Sequence, residues 1–512
     1  SSWNWVTLSA LNLIGVGTNL KFYLEQGGAY YDITPIRATT TLGTDSFAAN
    51  GTTTVTVTAT SHGCVTGDFV TFSGATGTYS SILNAQFQVT VVDANTYTIQ
   101  TPSALSAGTY GGASVSAAYQ LNVGPALAVP LVGWGGGAWG TGTWGNGTMS
   151  YSEMRIWNQM NYGEDLIFGP RGGGLYYWDA TGGVSTRGVL LSSLGGTATI
   201  TIASPAVVTS TVHYTEGAAI KFSTTGALPT GITAGTTYYV YNSDGLTFQL
   251  LTAAGAVVNT SGSQSGTQSI TPVDVPAYQN NLVISDTSRF IIVFGTNDYG
   301  SNTLDPMLIR WSNQDDPYNW TPDATNQAGS VRLSHGSTIV ATVQTRQEIV
   351  VITDSSVYSL QYLGPPYVWQ SQLLGDNISI ISPNAAVIAS GVVYWMGVDK
   401  FYMYDGRVQT LNCNLRRHVF SNINRSQQYQ SFCSTNEGFN EVWWFYCSTN
   451  STTIDKYVVY NYLERTWYYG SMARTAWLDS GLRDYPVAAT YSYNLVNHEE
   501  GLNDNETDTT LP

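Results

Sequence analysis

Charged residues are what this chain of 512 residues has least of: Asp, Glu, Lys and Arg together make 10%, against about 25% in an ordinary globular protein. Basic residues are the scarcer kind, 19 against 34 acidic, and the formal net charge is −15. A surface that grips nucleic acid needs Lys and Arg in excess on at least one face, so this balance argues against a phosphate-binding protein. It is compatible with a protein that must not stick to nucleic acid. Cysteine is also sparse, with four residues, Cys64, Cys413, Cys433 and Cys447, and no C-x-x-C pair. They read as free thiols, mostly buried; Cys433 and Cys447 could lie on neighbouring strands, but no disulfide is expected. No apolar run is long enough to span a bilayer, and no basic segment followed by an apolar core opens the chain. The expectation is a soluble product assembled in a cytoplasm.

Histidine is scattered. His62, His213, His335, His418 and His498 have no second His or Cys at ligand spacing, so no metal site is expected. The nearest approach is His498-Glu499-Glu500, which with the polar tail 501–512 reads as a solvated end. Gly15-Val16-Gly17 begins like a dinucleotide fingerprint but lacks the third glycine and a following helix, so it reads as a strand edge and no cofactor is expected. Paired carboxylates were sought among Asp305, Asp315, Asp316 and Asp354, because propellers host glycosidases. The run SNQDDPYNW at 312–320 resembles the Asp-box of sialidases, S-x-D-x-G-x-T-W. It has no glycine and its Ser-to-Trp span is one residue too long, which leaves a proline-containing turn capped by aspartate. No catalytic, cofactor-binding or metal residue is assigned.

What the chain does have is aromatic and β-branched sequence cut by polar turns: 43% of residues are hydrophobic and 12% aromatic, with 53 glycines. At 441–485 the runs EVWWFY, YVVYNY and TWYYG are separated by Ser, Thr and Asn, which is hairpin grammar. At 3–36 the runs WNWVTLSA, LIGVG, LKFYLE and AYYDITPI predict four more strands. With no lead-in turn and no Met, they read as a sheet unit entered part-way, predicting a preceding segment. Between them the texture changes twice. Strict polar/apolar alternation in TTTVTVTATSHG, GDFVTFSG, LNAQFQVTVVD and NTYTIQ predicts a small β-sandwich over 46–117, and AAIKFSTTG, TTYYVYN and LTFQLLT predict a second module over 195–271.

Setting both aside exposes a repeat: GAYYD, GLYYWD and KFYMYDG share an apolar strand closing on aspartate, at Asp32, Asp179 and Asp405. VVITDSSVYSLQYLG and YVVYNYLERTWYYG share the hairpin outline. Spacings of roughly 45 to 75 residues suit four-stranded propeller blades. The predicted architecture is therefore all-β: a discontinuous β-propeller-like framework at 1–45, 118–194 and 272–512, carrying two small inserted β-sandwich-like modules. GWGGGAWGTGTWGNG at 133–147 reads as an ordered turn-rich loop with Trp134, Trp139 and Trp144 packed on a neighbour, or as a stacking platform for carbohydrate.

DPMLIRWSNQDDPYNWTP, VYWMGVDKFYMYDGRV, EVWWFY, DKYVVYNYLERTWYYG and ARTAWLD, all within 305–486, resemble the tail nozzle (tail tubular, or packaged-DNA stabilisation) proteins of short-tailed bacteriophages. The likeness extends more loosely over 3–498, and relative to the family it implies a leading segment and a β-rich portion after His498. It also implies a non-enzymatic virion protein, a homohexameric tube below the portal and an adaptor ring, located in the virion tail. Implied partners are tail fibres or spikes, the host envelope, and DNA that passes without sequence-specific binding. Six copies at −15 would total about −90, a bias that repels phosphate and lets DNA slide. The competing reading is a glycan-binding or glycan-degrading propeller.

Overall fold

The computed structural model describes residues 1–130, 151–152, 154–501, 503–504 and 507–508. The Trp-rich loop at 133–147 lies outside them. None of the helices described is long and apolar enough to cross a membrane.

Outside the two inserted modules, seven antiparallel sheets of three or four strands succeed one another among the described residues. The first six have four strands each, at 2–32, 157–190, 281–332, 339–376, 386–411 and 432–471, and the seventh has three, at 476–497. In each of these seven sheets the order in space is the order in sequence. The first strands of successive sheets are neighbours: Ser2–Val6, Trp157–Tyr162, Asn281–Ile284, Ile339–Gln344, Ala386–Ala389, Phe432–Asn436 and Ala476–Leu478, with the last lying against Ser2–Val6 again. The sheets are therefore blades around an axis, and the framework is a closed seven-bladed β-propeller.

The sequence pattern explains the radial placement. A strand covered on both faces reads as a near-continuous apolar run, whereas an outer strand alternates or turns polar. In the sixth blade Glu441–Tyr446 is buried at every position after the first, and the outermost strand, Thr466–Ser471, is mostly exposed. The cores lie between blades. Trp5, Phe22, Trp157, Phe168 and Trp178 fill the space between blades 1 and 2. A larger cluster runs through blades 4, 5 and 6, where Trp444 sits 4.9 Å from Phe401 and 5.8 Å from Trp467. The glycines of Gly15-Val16-Gly17 belong to the Asn12–Gly17 strand, and side chains there would run into Gln159 and Trp157 of blade 2. They permit close blade packing, which is why a fingerprint-like pair stands in a strand.

The repeat is real as a run of hairpins, but its matching segments are out of phase. Ala29–Asp32 is the fourth strand of blade 1, whereas Tyr176–Trp178 and Phe401–Tyr404 are third strands of blades 2 and 5. The shared aspartate consequently does three things: Asp32 joins charged partners, Asp179 accepts from Thr181 N at 2.8 Å, and Asp405 accepts from Gln409. Aromatic-rich strand texture recurs in several strands of a blade, so motif matching alone does not set blade phase.

Both inserted modules leave the chain between blades, one after blade 1 and one after blade 2. The first is a sandwich of a five-stranded and a four-stranded sheet around Phe47, Val57, Phe72, Tyr97 and Tyr119. It is wider than 46–117. Ile36–Thr41 pairs with Ser116–Gln120, and the latter pairs with Phe69–Ser73, so the AAYQLNV segment expected in the framework supplies a central sandwich strand. Pro35 O accepts from Leu121 N at 3.0 Å, which fixes the neck of the module. The second module runs from Thr197–Ile200 to Gln268–Pro272 and, in place of the sandwich expected, closes its six strands into a barrel. Closure depends on the antiparallel pairing of those first and last strands, a non-local contact that alternation along the chain does not encode.

Candidate functional site

Two places on a propeller can carry function without altering its core, the axial opening and the turns on its two faces. At the axis a cavity of about 240 Å³ is lined by first-strand residues of four blades, Ser2, Trp3, Trp157, Asn158, Gln159, Asn281, Leu282 and Thr342, with Ser1, Pro383 and Asn384. Every side chain in that lining is neutral. The amides around it are bonded to one another: Asn158 Nδ2 donates to Gln279 Oε1 at 2.6 Å and to Asn280 O at 2.7 Å, and Gln279 Nε2 donates to Pro170 O at 2.8 Å. Arg171 pins the same region, donating to Asn281 Oδ1 and Asn280 O at 2.6 Å and to Ile339 O and Val340 O at 3.2 Å. It ties blade 2 to the inner strands of blades 3 and 4. A sequence search for paired acids or ligand spacings passes over such a residue, because its role comes from carbonyls of two later blades.

Strand alternation sends the first-to-second and third-to-fourth turns of all blades to one face. Glu164, Asp286, Asp315, Glu437, Glu464 and Asp479 fall in those turns, together with Arg187, Arg289, Arg346, Arg407, Arg465 and Arg483, so the face is mixed in charge with the carboxylates in excess. Around the junction of blades 6 and 7 the acids approach one another: Asp479 accepts from Glu437 N at 2.9 Å, and Glu499 Oε1 accepts from Asn436 Nδ2 at 3.3 Å. Glu441 titrates above the ordinary glutamate range, first because it is partly buried and then because of the charge of Glu499; a hydrogen bond from Trp443 works the other way.

The carboxylates weighed as acid and base do not converge. Asp305 pairs with Arg332 at 2.7 Å, and Asp315 pairs with Arg289 at 2.7 Å. Asp354 accepts from Ser337 N at 2.8 Å and Ser337 Oγ at 2.6 Å, holding a turn. Asp316 is 2% exposed and accepts from Thr215 Oγ1 at 2.5 Å and Tyr318 N at 2.8 Å, docking the barrel. The rest of 312–320 is the connection between the third and fourth strands of blade 3, anchored by buried Trp320 donating to Pro317 O at 2.8 Å. None of the four aspartates lines the axial cavity.

The histidines are equally dispersed. His62 is buried, its Nδ1 accepts from Cys64 N at 3.0 Å and its Nε2 lies 2.8 Å from Asp93 O. His335 lies 3.4 Å from Asp376, His418 stacks near Tyr469, and His498 packs on Trp477 and accepts from Arg474. Among the described residues no group of three His, Cys, Asp or Glu side chains could hold a metal ion. All four cysteines are free thiols, and burial raises each above the ordinary thiol range, least favourable for a nucleophile.

No protein-family profile and no curated protein matches the sequence. Among solved structures the chain is similar to the phage phi92 endosialidase, at 9% identity over 98% of this chain and 63% of that one, with a TM-score of 0.18. It is also similar to BBS1N in its complex with ARL6DN, at 9% identity over 82% and 94%, TM-score 0.26. The WD40 domain of SCAP from fission yeast matches at 10% identity over 64% and 79%, TM-score 0.23. Scores this low transfer no activity; the propeller assignment rests on the strand pairing itself.

Proposed function

We propose that this chain is a structural component of a short bacteriophage tail, a nozzle protein that assembles as a homohexamer against an adaptor ring, retains packaged DNA and conducts it outward. The observation that carries the reading is an excess of carboxylates, Glu164, Asp286, Glu437, Glu464 and Asp479 among them, over the arginines on one face of a chain of net charge −15. A wall of that sign repels phosphate, so a duplex slides past without being held. The resemblance of 305–486 to tail nozzle proteins supports the same reading. Fibres or spikes and the host envelope would then meet the outward surfaces, to which the two inserted modules add.

The reading is tested by mixing purified chain with the adaptor of the same virion and measuring native mass. Sixfold, adaptor-dependent assembly is the expected result. Replacing Glu437, Glu464 and Asp479 with Lys in assembled virions is expected to slow DNA ejection severalfold and to make it salt-dependent. Ejection at the normal rate from the lysine-bearing tails rules the acidic-wall mechanism out. A stable monomer that degrades polysaccharide supports the competing class, an enzyme of glycans.

A further inference from the structure

Each four-stranded blade ends in an outer strand with no strand beyond it. Proteins keep such edges short or charged, because an open edge is a template on which another chain can pair. Four of the six fourth strands follow that rule: Ala29–Asp32, Val189–Leu190, Gly329–Arg332 and Val408–Leu411 have four residues or fewer. Two do not. Val368–Asp376 on blade 4 has nine residues and Thr466–Ser471 on blade 6 has six, and neither makes a backbone hydrogen bond outside its own blade among the described residues.

Their composition says what can come up to them. From Ser355 to Gly375 no residue is charged, in a chain of net charge −15, and Thr466–Ser471 carries no charge either. Gln370, Gln372 and Leu373 are exposed on the first edge, and Thr466, Tyr468 and Tyr469 on the second. The turn into the first edge presents Tyr367, 73% exposed, and the turn into the second presents Leu463, 72% exposed. Copies of an acidic protein repel one another except where their surfaces are neutral or of opposite sign. These two edges are neutral along their length and opposite at one end. The blade 4 strand closes on Asp376, whose side chain is 51% exposed. The blade 6 strand follows a turn in which Glu464 and Arg465 are of opposite sign, and it ends beside Lys456, which donates to Ser471 Oγ at 2.7 Å.

We propose that the blade 4 edge pairs with the blade 6 edge of a second copy of this chain. Both strands begin at a third-to-fourth turn, so both run away from the acid-bearing face. Copies related by rotation about one axis keep that face turned the same way, and the two edges then lie parallel, with Asp376 at the Lys456 end and Tyr367 at the Arg465 end. Main-chain hydrogen bonds give such pairing its affinity, and the charges at its ends fix its register. The two edges are different surfaces, so the contact is heterologous: a copy that offers one edge leaves the other free for a further copy, and the series closes into a ring or continues as a filament. The inference rests on the self-assembly that the nozzle reading requires and names the surfaces that carry it.

Self-association of the full chain is measured by analytical ultracentrifugation, alone and with the adaptor ring of the same virion. Gln370→Lys together with Gln372→Lys puts charge on the edge and is expected to weaken association about a hundredfold. Asp376→Lys and Lys456→Asp are each expected to weaken it about fivefold and, combined in one chain, to restore it to within about twofold. That rescue requires the two residues to face each other across copies, and it serves as the test if the lysine pair does not fold. A benzophenone attached at Gln372→Cys is expected to crosslink to 466–471 of another copy. If the wild type assembles but the folded lysine pair assembles equally well, the charge swap gives no rescue, or the crosslink goes to the adaptor, the inference is overturned and the nozzle reading stands. A wild type that stays monomeric with the adaptor overturns both.

Discussion

Each inserted module meets the propeller at a framework aspartate, and the two carboxyls are in opposite electrostatic situations. Asp32 meets the sandwich. It accepts from Lys21 Nζ and Gln120 Nε2 at 3.0 Å, from Thr34 N at 3.0 Å and from Arg187 at 3.3 Å, while Lys21 reaches on to Gln86 at 2.5 Å and lies over the Phe69 ring. Burial works against its ionisation, but the Thr34 hydrogen bond and the charges of Arg187 and Lys21 outweigh it, and its pKa is lowered to about 2. Asp316 meets the barrel with no ion pair among the described residues, and only the charge of His213 nearby favours its ionised form. Thr215 donates through its hydroxyl and its amide, and Asn319 and Asn313 donate to the Thr215 hydroxyl at 2.9 and 3.1 Å. Here burial dominates over those hydrogen bonds and pushes the pKa up. Equal residue types thus make one joint that needs its charge and one that is strained by it.

Excision separates the modules most sharply. Removing 36–120 with a short Gly/Ser bridge is expected to leave a folded propeller, since Pro35 and Leu121 already meet at 3.0 Å. Removing 46–117 is expected to aggregate, because it leaves Ile36–Thr41 without the Ser116–Gln120 strand and cuts into the latter. Size-exclusion chromatography with circular dichroism distinguishes the two, and a soluble, cooperative 46–117 deletion contradicts the assignment of those strands. Excision of 197–272 is expected to behave like that of 36–120, because Ile270 N donates to Gly196 O at 2.8 Å, which shows that the two ends of the segment leave the framework side by side.

Next in size is Asp32→Ala, which leaves Lys21, 7% exposed, facing no anion. A loss on the order of 3 kcal/mol is expected in urea denaturation. The acid limb of stability carries the same signature. A carboxyl with a lowered folded pKa contributes stability that is present above its unfolded value near 4 and lost as pH falls towards about 2. Asp32→Asn is expected to flatten that limb.

Asp316 has the opposite sign. Its raised folded pKa makes the barrel joint strongest in acid, and the contribution is lost as pH rises from near 4 through the folded value. Hydrogen exchange at the Thr215 amide is expected to quicken across that rise, and Asp316→Asn is expected to remove the dependence while changing stability by less than about 1 kcal/mol at neutral pH. Slower exchange on raising pH, after correction for the intrinsic rate, contradicts the buried-acid account.

Much of the architecture was legible in advance because it is local. The alternation TVTVT at Thr54–Thr58 is buried at its valines, and EVWWFY, YVVYNY and TWYYG are successive strands of blade 6. Four strands were expected in 3–36 and four are present. What was not legible were contacts between distant strands. The first, innermost strand of blade 6, Phe432–Asn436, carries no aromatic pattern beyond Phe432. Asp32, seen only as the end of a tyrosine-rich motif, gains Arg187 from another blade.

Periodicity and turn chemistry, which depend on residues a few positions apart, determined by themselves that the chain is all-β and that it is organised as hairpins. Tertiary structure alone decided the seven blades, the contact of Ala476–Leu478 with Ser2–Val6 that closes them, the closure of the barrel, and which aspartate is held charged. Each of those depends on which distant strand or cation arrives at a given surface, and that is set by packing over hundreds of residues, beyond the reach of any local pattern.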